Sequence, residues 1–147
     1  MGYTLQAIIA QSPILAGVTF PGVDAVALQQ GLALLPLVDS VRAALRLEFL
    51  PLTDGGDTDL PPNFIARCCE IAQHGKVAYV EAEFHGGEGI QACVKFDESR
   101  QIGPALVSSD AINQALKFLG ESCNPGQDEF LAVGLDTRRH TDDWLPP

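Results

Sequence analysis

Short runs of apolar residues mark the predicted strands of this chain. The run Tyr3–Ala10 has the length of a strand, and Pro13 follows it closely, so it predicts a buried first strand. Four further runs are bounded by turn-forming residues: Ala25–Leu28, Leu32–Val38, Lys76–Phe84 and Gly89–Phe96. Each of these predicts a strand, because glycine, proline and small polar residues are typical of the turns between strands.

Helical spacing of apolar residues predicts two main helices, Asn63–His74 and Ser109–Leu119, each followed by a glycine that can end it. Their apolar stripes are Phe64, Cys68, Ile71 and Ala72 in the first and Ile112, Ala115, Leu116 and Leu119 in the second. Shorter helices are predicted at Asp39–Leu45 and Asp128–Val133.

This order of elements predicts one α+β domain over residues 1–147. We expect a mainly antiparallel sheet of four or five strands, with the two main helices packed on its one apolar face. Residues 50–62 carry three prolines, two glycines and three aspartates, which predicts a flexible surface loop within the domain. Residues 134–147 are expected to form a C-terminal strap, with Trp144 inserted as an apolar anchor.

The strands Lys76–Phe84 and Gly89–Phe96 predict a hairpin, and their apolar positions are even-numbered on both. Opposed residues of an antiparallel pair share a face, so even positions should oppose even positions. A three-residue loop, Gly86-Gly87-Glu88, satisfies this requirement. The pattern therefore predicts that Glu83 pairs with Gln91.

With that register, one polar face carries most of the chemically suggestive side chains. Glu81, Glu83 and His85 alternate along the first strand, and Gln91 lies on the second. Two carboxylates and an imidazole can act as acid and base or bind a metal ion. Three residues in line on a strand bind one metal poorly, because alternate residues lie about 6.6 Å apart. A solvated sheet face and a binding face for a partner or ligand are the alternatives.

The tail Arg138-Arg139-His140 is the second candidate binding site. Two arginines beside a histidine can bind a carboxylate or a phosphate. The alternative is that these charges pair locally within the strap.

The composition narrows the classes of function. Nineteen acidic residues against nine basic ones give a net charge of −10, which disfavours nucleic-acid binding. The apolar runs are much shorter than the roughly 20 residues of a membrane-spanning helix, and the first basic residue is Arg42, so we expect no membrane association and no signal peptide. The four cysteines form no C-x-x-C pair, which indicates buried thiols in a reducing, cytoplasmic environment. We find no hydrolase motif and no cofactor motif.

Three segments resemble a family of small uncharacterised bacterial proteins. They are residues 79–92, residues 112–120, and Asp128-Glu-Phe with the Arg-His-Thr-Asp-Asp-Trp tail, so the resemblance covers Lys76 to Trp144. It implies a bacterial, cytoplasmic origin and no particular activity, catalytic residue or cofactor.

We therefore expect a non-catalytic binding or interaction module, immunity-like or regulatory, that binds a protein partner or forms a homodimer. The expected binding residues are Glu81, Glu83, His85, Gln91, Arg138, Arg139 and His140. The alternative is a small metal-dependent hydrolase or another enzyme that uses Glu81, Glu83 and His85.

Overall fold

One antiparallel sheet organises the protein in the computed structural model, which describes residues 2–18, 20, 23–85, 88–120 and 129–145. The described strands are β1 (Tyr3–Gln11), β2 (Val26–Ala27), β3 (Leu32–Pro36), β4 (Val77–His85), β5 (Glu88–Asp97) and β6 (Arg100–Ser108). They form a six-stranded sheet in the order β2-β3-β1-β4-β5-β6. The described α-helices are α1 (Ser12–Leu15), α2 (Asp39–Leu45), α3 (Pro62–Ile71), α4 (Ala111–Phe118) and α5 (Glu129–Ala132).

Both faces of this sheet are covered by apolar packing. On one face, Ile8 opposes Tyr79, which opposes Val94, and all three belong to a cluster with α3 residues. On the other face, Ala7 opposes Val80, which opposes Cys93, and these belong to a cluster with α4 residues. We call them the α3 face and the α4 face. The prediction that both main helices lie on one face is therefore wrong.

The sheet has one strand more than the upper limit of the sequence prediction. The additional strand is β6, whose sequence contains Gly103-Pro104, a pair typical of a turn. Pairing with β5 becomes irregular there, between Cys93 and Lys95, and Gly103 has a φ of +75°. Because β6 is at the edge of the sheet, its outer side has no partner strand. Proline, which has no backbone N–H, therefore breaks no hydrogen bond there, and an edge strand also tolerates an irregular glycine.

The predicted helical stripes are buried as expected. Phe64, Cys68 and Ile71 of α3 and Ile112, Ala115 and Leu116 of α4 are at most 2% exposed. The helix α3 begins at Pro62, one residue before the predicted start, and the Asn63 side-chain amide donates to the Leu45 carbonyl at 2.6 Å. The predicted helix Asp128–Val133 is observed as α5, and Asp128 lies outside the described residues.

The register of the β4–β5 hairpin differs from the prediction. His85 opposes Glu88, Glu83 opposes Ile90, and Ala82 opposes Gln91. The strands are therefore joined through residues 86 and 87, which lie outside the described residues. Glu83 and Gln91 consequently lie on opposite faces of the sheet, so the predicted pair between them is wrong.

The C-terminal segment lies beside the first half of β1. The pairing of β1 with β3 begins only at Ala7, so the neighbouring edge at Thr4 is open. His140 forms a parallel bridge with Thr4, and the Thr4 N–H donates to the Arg139 carbonyl at 2.6 Å. Trp144 is buried in the α4-face cluster. The tail thus occupies the place of a strand beside β1.

No helix in the described part of the chain is long and apolar enough to cross a membrane.

Candidate functional site

A row of four residues crosses the α3 face near the end of the sheet. His140 of the tail bridges Thr4 of β1, Thr4 opposes Glu83 of β4, and Glu83 opposes Ile90 of β5. Neighbouring strands lie about 4.8 Å apart, so His140 and Glu83 are about 10 Å apart across Thr4. The fold therefore brings together two residues that the sequence places in separate candidate sites.

A shallow cleft of about 240 Å³ opens at the His140 end of this row. Its lining residues are Thr4, Asp39, Arg42, Phe49, His140, Thr141 and Asp142. The Arg42 guanidinium binds the Asp39 carboxylate and lies 5.1 Å from the centre of the Phe49 ring. The His140 side chain accepts the Asp143 N–H, so its position is set by the short helix Thr141–Trp144.

Exposed apolar side chains border the same row. Among the described residues the exposed large apolar side chains are Phe49, Ile90 and Val107, at 45%, 38% and 46% exposure. Val107 opposes Ala92, which belongs to the α3-face cluster, so Val107 lies diagonally next to Ile90 on that face. We call the surface formed by Thr4, Phe49, Glu83, Ile90, Val107 and His140 the Ile90 surface.

Glu81, the first residue of the predicted polar line, lies on the same face as Glu83 and is fully buried. Its carboxylate accepts hydrogen bonds from the Leu52 N–H at 3.2 Å and from the Thr53 N–H and hydroxyl, each at 3.0 Å. The Tyr79 hydroxyl donates to it at 2.5 Å. Glu81 therefore connects β4 to the loop that contains Leu52 and Thr53. The expectation that Glu81 lies on an exposed polar face is wrong.

Burial changes the pKa values of both Glu81 and Tyr79. Loss of water raises the pKa of Glu81, although the hydrogen bonds from Tyr79, Thr53 and Leu52 act in the opposite direction. Burial, together with the nearby Glu81 carboxylate, raises the pKa of the Tyr79 hydroxyl well above its usual value. The proton of the hydrogen bond between the Tyr79 hydroxyl and the Glu81 carboxylate is therefore shielded from water.

The remaining predicted residues are dispersed. Gln91 lies on the α4 face and accepts the Ile112 N–H at 2.9 Å, at the start of α4. The Arg138 guanidinium lies 4.7 Å from the centre of the Trp144 ring, and the Arg139 side chain is exposed. The side chain of His85 lies outside the described part of the structure. Only Glu83 and His140 of the predicted set therefore share the Ile90 surface in the described structure.

No group of three or more histidine, cysteine, aspartate or glutamate side chains is placed to hold a metal ion within the described ranges. Glu81 is separated from such a role by its bonds to the loop.

A larger cleft, of about 470 Å³, lies near the end of α3, and its lining includes Ile14, Arg67, Glu70 and His74. Arg67 and Glu70 are paired with each other at 3.1 Å, and Arg67 also stacks on the ring of Phe20. Local packing accounts for these charges, so the larger cleft offers less chemistry than the Ile90 surface.

Comparison with protein-family models, with curated proteins and with solved structures gives no match for this chain. The resemblance to a bacterial family remains a prediction.

The sequence analysis missed Thr4, Phe49, Ile90 and Val107. Thr4 and Ile90 belong to no motif. They join the site only because the register places β1, the β4–β5 hairpin and the tail side by side. Of these residues, only Phe49 could have been noticed in the sequence, because it is a large apolar residue next to the proline-rich loop.

Proposed function

We propose that this protein is a non-catalytic binding module that takes a positively charged protein partner on the Ile90 surface. The observation that carries this proposal is the position of Phe49, Ile90 and Val107. These exposed apolar side chains border one row of the α3 face, with Glu83 and His140 between them. Apolar groups rimmed by polar ones are typical of protein interaction sites.

Charge indicates the kind of partner. The chain carries a net charge of −10, and the cleft beside Phe49 includes the exposed carboxylate of Asp142, whereas the Asp39 carboxylate there is paired with Arg42. Opposite charges accelerate association and select the partner. A second copy of the chain carries the same negative charge, which favours a basic partner over a homodimer. A regulatory or immunity-like role is of this type, because both act through binding.

The environment of Glu81 favours binding over hydrolysis. A general acid or a metal ligand needs access to its substrate or metal. Glu81 is fully buried, and its oxygens accept bonds from Leu52, Thr53 and Tyr79. This carboxylate supports the loop beside the binding surface.

The proposal predicts that Ile90→Lys weakens binding of a short peptide of alternating lysine and leucine. The new ammonium group repels the peptide and removes an apolar contact, so we expect at least a tenfold higher Kd, equivalent to about 1.4 kcal/mol. Calorimetric titration measures the Kd. Binding by the wild type should also weaken as ionic strength rises from about 0.01 M to about 0.15 M, where the Debye length falls from about 30 Å to about 8 Å.

Gln73→Lys is the matched control, since it adds the same charge at an exposed position near the opposite end of β4. It should bind the peptide like the wild type. Equal weakening by both variants would show that only the net charge matters and would contradict the assignment of the surface. Absence of binding to the wild type at low salt would contradict a basic partner.

A further inference from the structure

The loop that carries Phe49 is anchored at its first half by one buried side chain. The Gln6 amide nitrogen donates to the Glu48 carbonyl at 3.0 Å, and the Gln6 amide oxygen accepts the Leu50 N–H at 3.3 Å. Phe49 lies between these two contacts. The backbone on both sides of Phe49 is therefore fixed to β1.

The second half of the loop is anchored by Glu81. Its carboxylate accepts the N–H groups of Leu52 and Thr53 and the Thr53 hydroxyl. Leu50 and Leu52 are buried beside these contacts. Three donors from two successive loop residues thus converge on one carboxylate.

Tyr79 connects the two anchors. Its hydroxyl accepts the Gln6 amide N–H at 2.9 Å and donates to Glu81 at 2.5 Å. Gln6, Tyr79 and Glu81 are all fully buried. The three side chains form one continuous hydrogen-bonded chain beneath the loop.

The loop also satisfies the carboxylate. Within the described residues, Glu81 has no ion pair with a lysine, arginine or histidine. The groups that face it are the Tyr79 hydroxyl, the Gln6 amide beyond it, and the loop donors, with the Cys68 thiol of α3 near Tyr79. A buried carboxylate without a countercharge depends on such donors. When the loop departs, Glu81 loses three of its donors at once.

We infer that Gln6, Tyr79 and Glu81 form a latch that holds residues 48–53 on the sheet and thereby positions Phe49 for the partner. This inference rests on the proposed function of the Ile90 surface. The latch has two states: closed, with Glu81 bonded to the loop, and open, with the loop released and Glu81 hydrated. Because one carboxylate supplies most of the bonds, release is cooperative across Leu52 and Thr53.

Hydrogen exchange of the Leu52 and Thr53 amides tests the latch without any partner. Glu81→Met retains the length of the side chain but removes both acceptor oxygens, so the Leu52 N–H, the Thr53 N–H and the Thr53 hydroxyl all lose their acceptor. We expect exchange at Leu52 and Thr53 to accelerate at least tenfold, with strand amides such as Ala78 unchanged. Thr53→Ala removes only the hydroxyl donor and should accelerate the same amides by a smaller factor. Glu98→Gln, in an exposed turn, is the control and should change neither.

Unchanged exchange at Leu52 and Thr53 in Glu81→Met would overturn the latch. Equal acceleration at Ala78 would also overturn it, because the variant would then loosen the whole sheet. The lysine–leucine peptide separates the two proposals. Faster exchange with a raised Kd supports the latch, and faster exchange with an unchanged Kd shows that it does not position Phe49. Failure of the wild type to bind contradicts the proposed function, while exchange still decides whether the latch exists.

Discussion

Burial decides the chemistry of individual residues in this protein more than residue type does. Glu81 belongs to the line of acidic and imidazole side chains that looks most reactive in the sequence, yet it has no exposed surface. Its neighbour on the same strand face, Glu83, is half-buried and reaches the Ile90 surface. The loop residues Leu50 to Thr53 cover one carboxylate and leave the other accessible. Two identical side chains, two positions apart, therefore have different surroundings.

Burial also determines the reactivity of the cysteines. Burial raises the pKa of the Cys93 thiol to about 11 and raises that of Cys68 well above its usual range. The thiolate is the reactive form, so at pH 8 we expect iodoacetamide to modify half-buried Cys69 while Cys68 and Cys93 stay unmodified until urea is added. Fragmentation mass spectrometry assigns each site. Cys69→Ser should leave the Cys68 peptide unlabelled, and rapid labelling of native Cys93 would contradict its burial.

At the scale of elements, helical periodicity was the most informative feature of the sequence. Both main helices and their buried stripes are confirmed, because a repeat of three and four residues has one interpretation on a surface helix. The hairpin register could not be obtained in this way. Val80 and Ala82 of β4 point to the α4 face, whereas Ala92 and Val94 of β5 point to the α3 face. Since both faces are buried, apolar positions on neighbouring strands need not oppose one another, and their parity does not determine the register.

The candidate site was less predictable than the fold for the same reason. Glu83 and His140 could be singled out by residue type, but their proximity depends on the tail occupying the open edge beside Thr4. No local pattern encodes that contact. Likewise, the proline-rich composition of residues 50–62 indicates a loop, whereas its attachment to Glu81 follows only from the tertiary structure; flexibility of this loop stays a prediction.

The stripe on α4 gives a test at the same scale. Leu116 is fully buried in the α4-face cluster, so Leu116→Ala should lower the free energy of unfolding by about 2–5 kcal/mol. Urea unfolding measures this loss. Lys117→Ala changes the next residue, which is exposed and forms a 3.6 Å ion pair with Glu129; losing that pair should cost less than Leu116→Ala, about 1 kcal/mol. Equal effects of the two substitutions would mean that α4 does not pack through this stripe.

For the whole molecule, acidity and a two-sided core act together. The net charge of −10 disfavours compaction at neutral pH through repulsion among surface carboxylates, while apolar clusters cover the central strands on both faces. Among the described carboxylates, that of Glu81 is fully buried. The stability of the fold should therefore depend on pH through Glu81 as well as through the surface charge.

The direction of that dependence follows from the raised pKa of Glu81. Burial raises this pKa above its ordinary value of 4.5, so between the two values the folded protein holds a proton that the unfolded chain releases. The stabilisation from Glu81 is then fully present below about pH 4.5 and is lost as the pH rises through the higher, folded-state pKa. Asp110, whose pKa is lowered by hydrogen bonds from Ser108 and Gln114, acts in a separate window, where its stabilisation is lost as the pH falls below 3.8.

Urea unfolding of wild type, Glu81→Gln and Glu98→Gln isolates the Glu81 contribution when it is measured at a series of pH values from 4.5 up to neutral pH. Both the wild type and Glu98→Gln should lose stability as the pH rises, partly through surface repulsion, whereas Glu81→Gln should show a shallower slope. Parallel slopes for all three proteins would show that Glu81 has the same proton affinity in the folded and unfolded states.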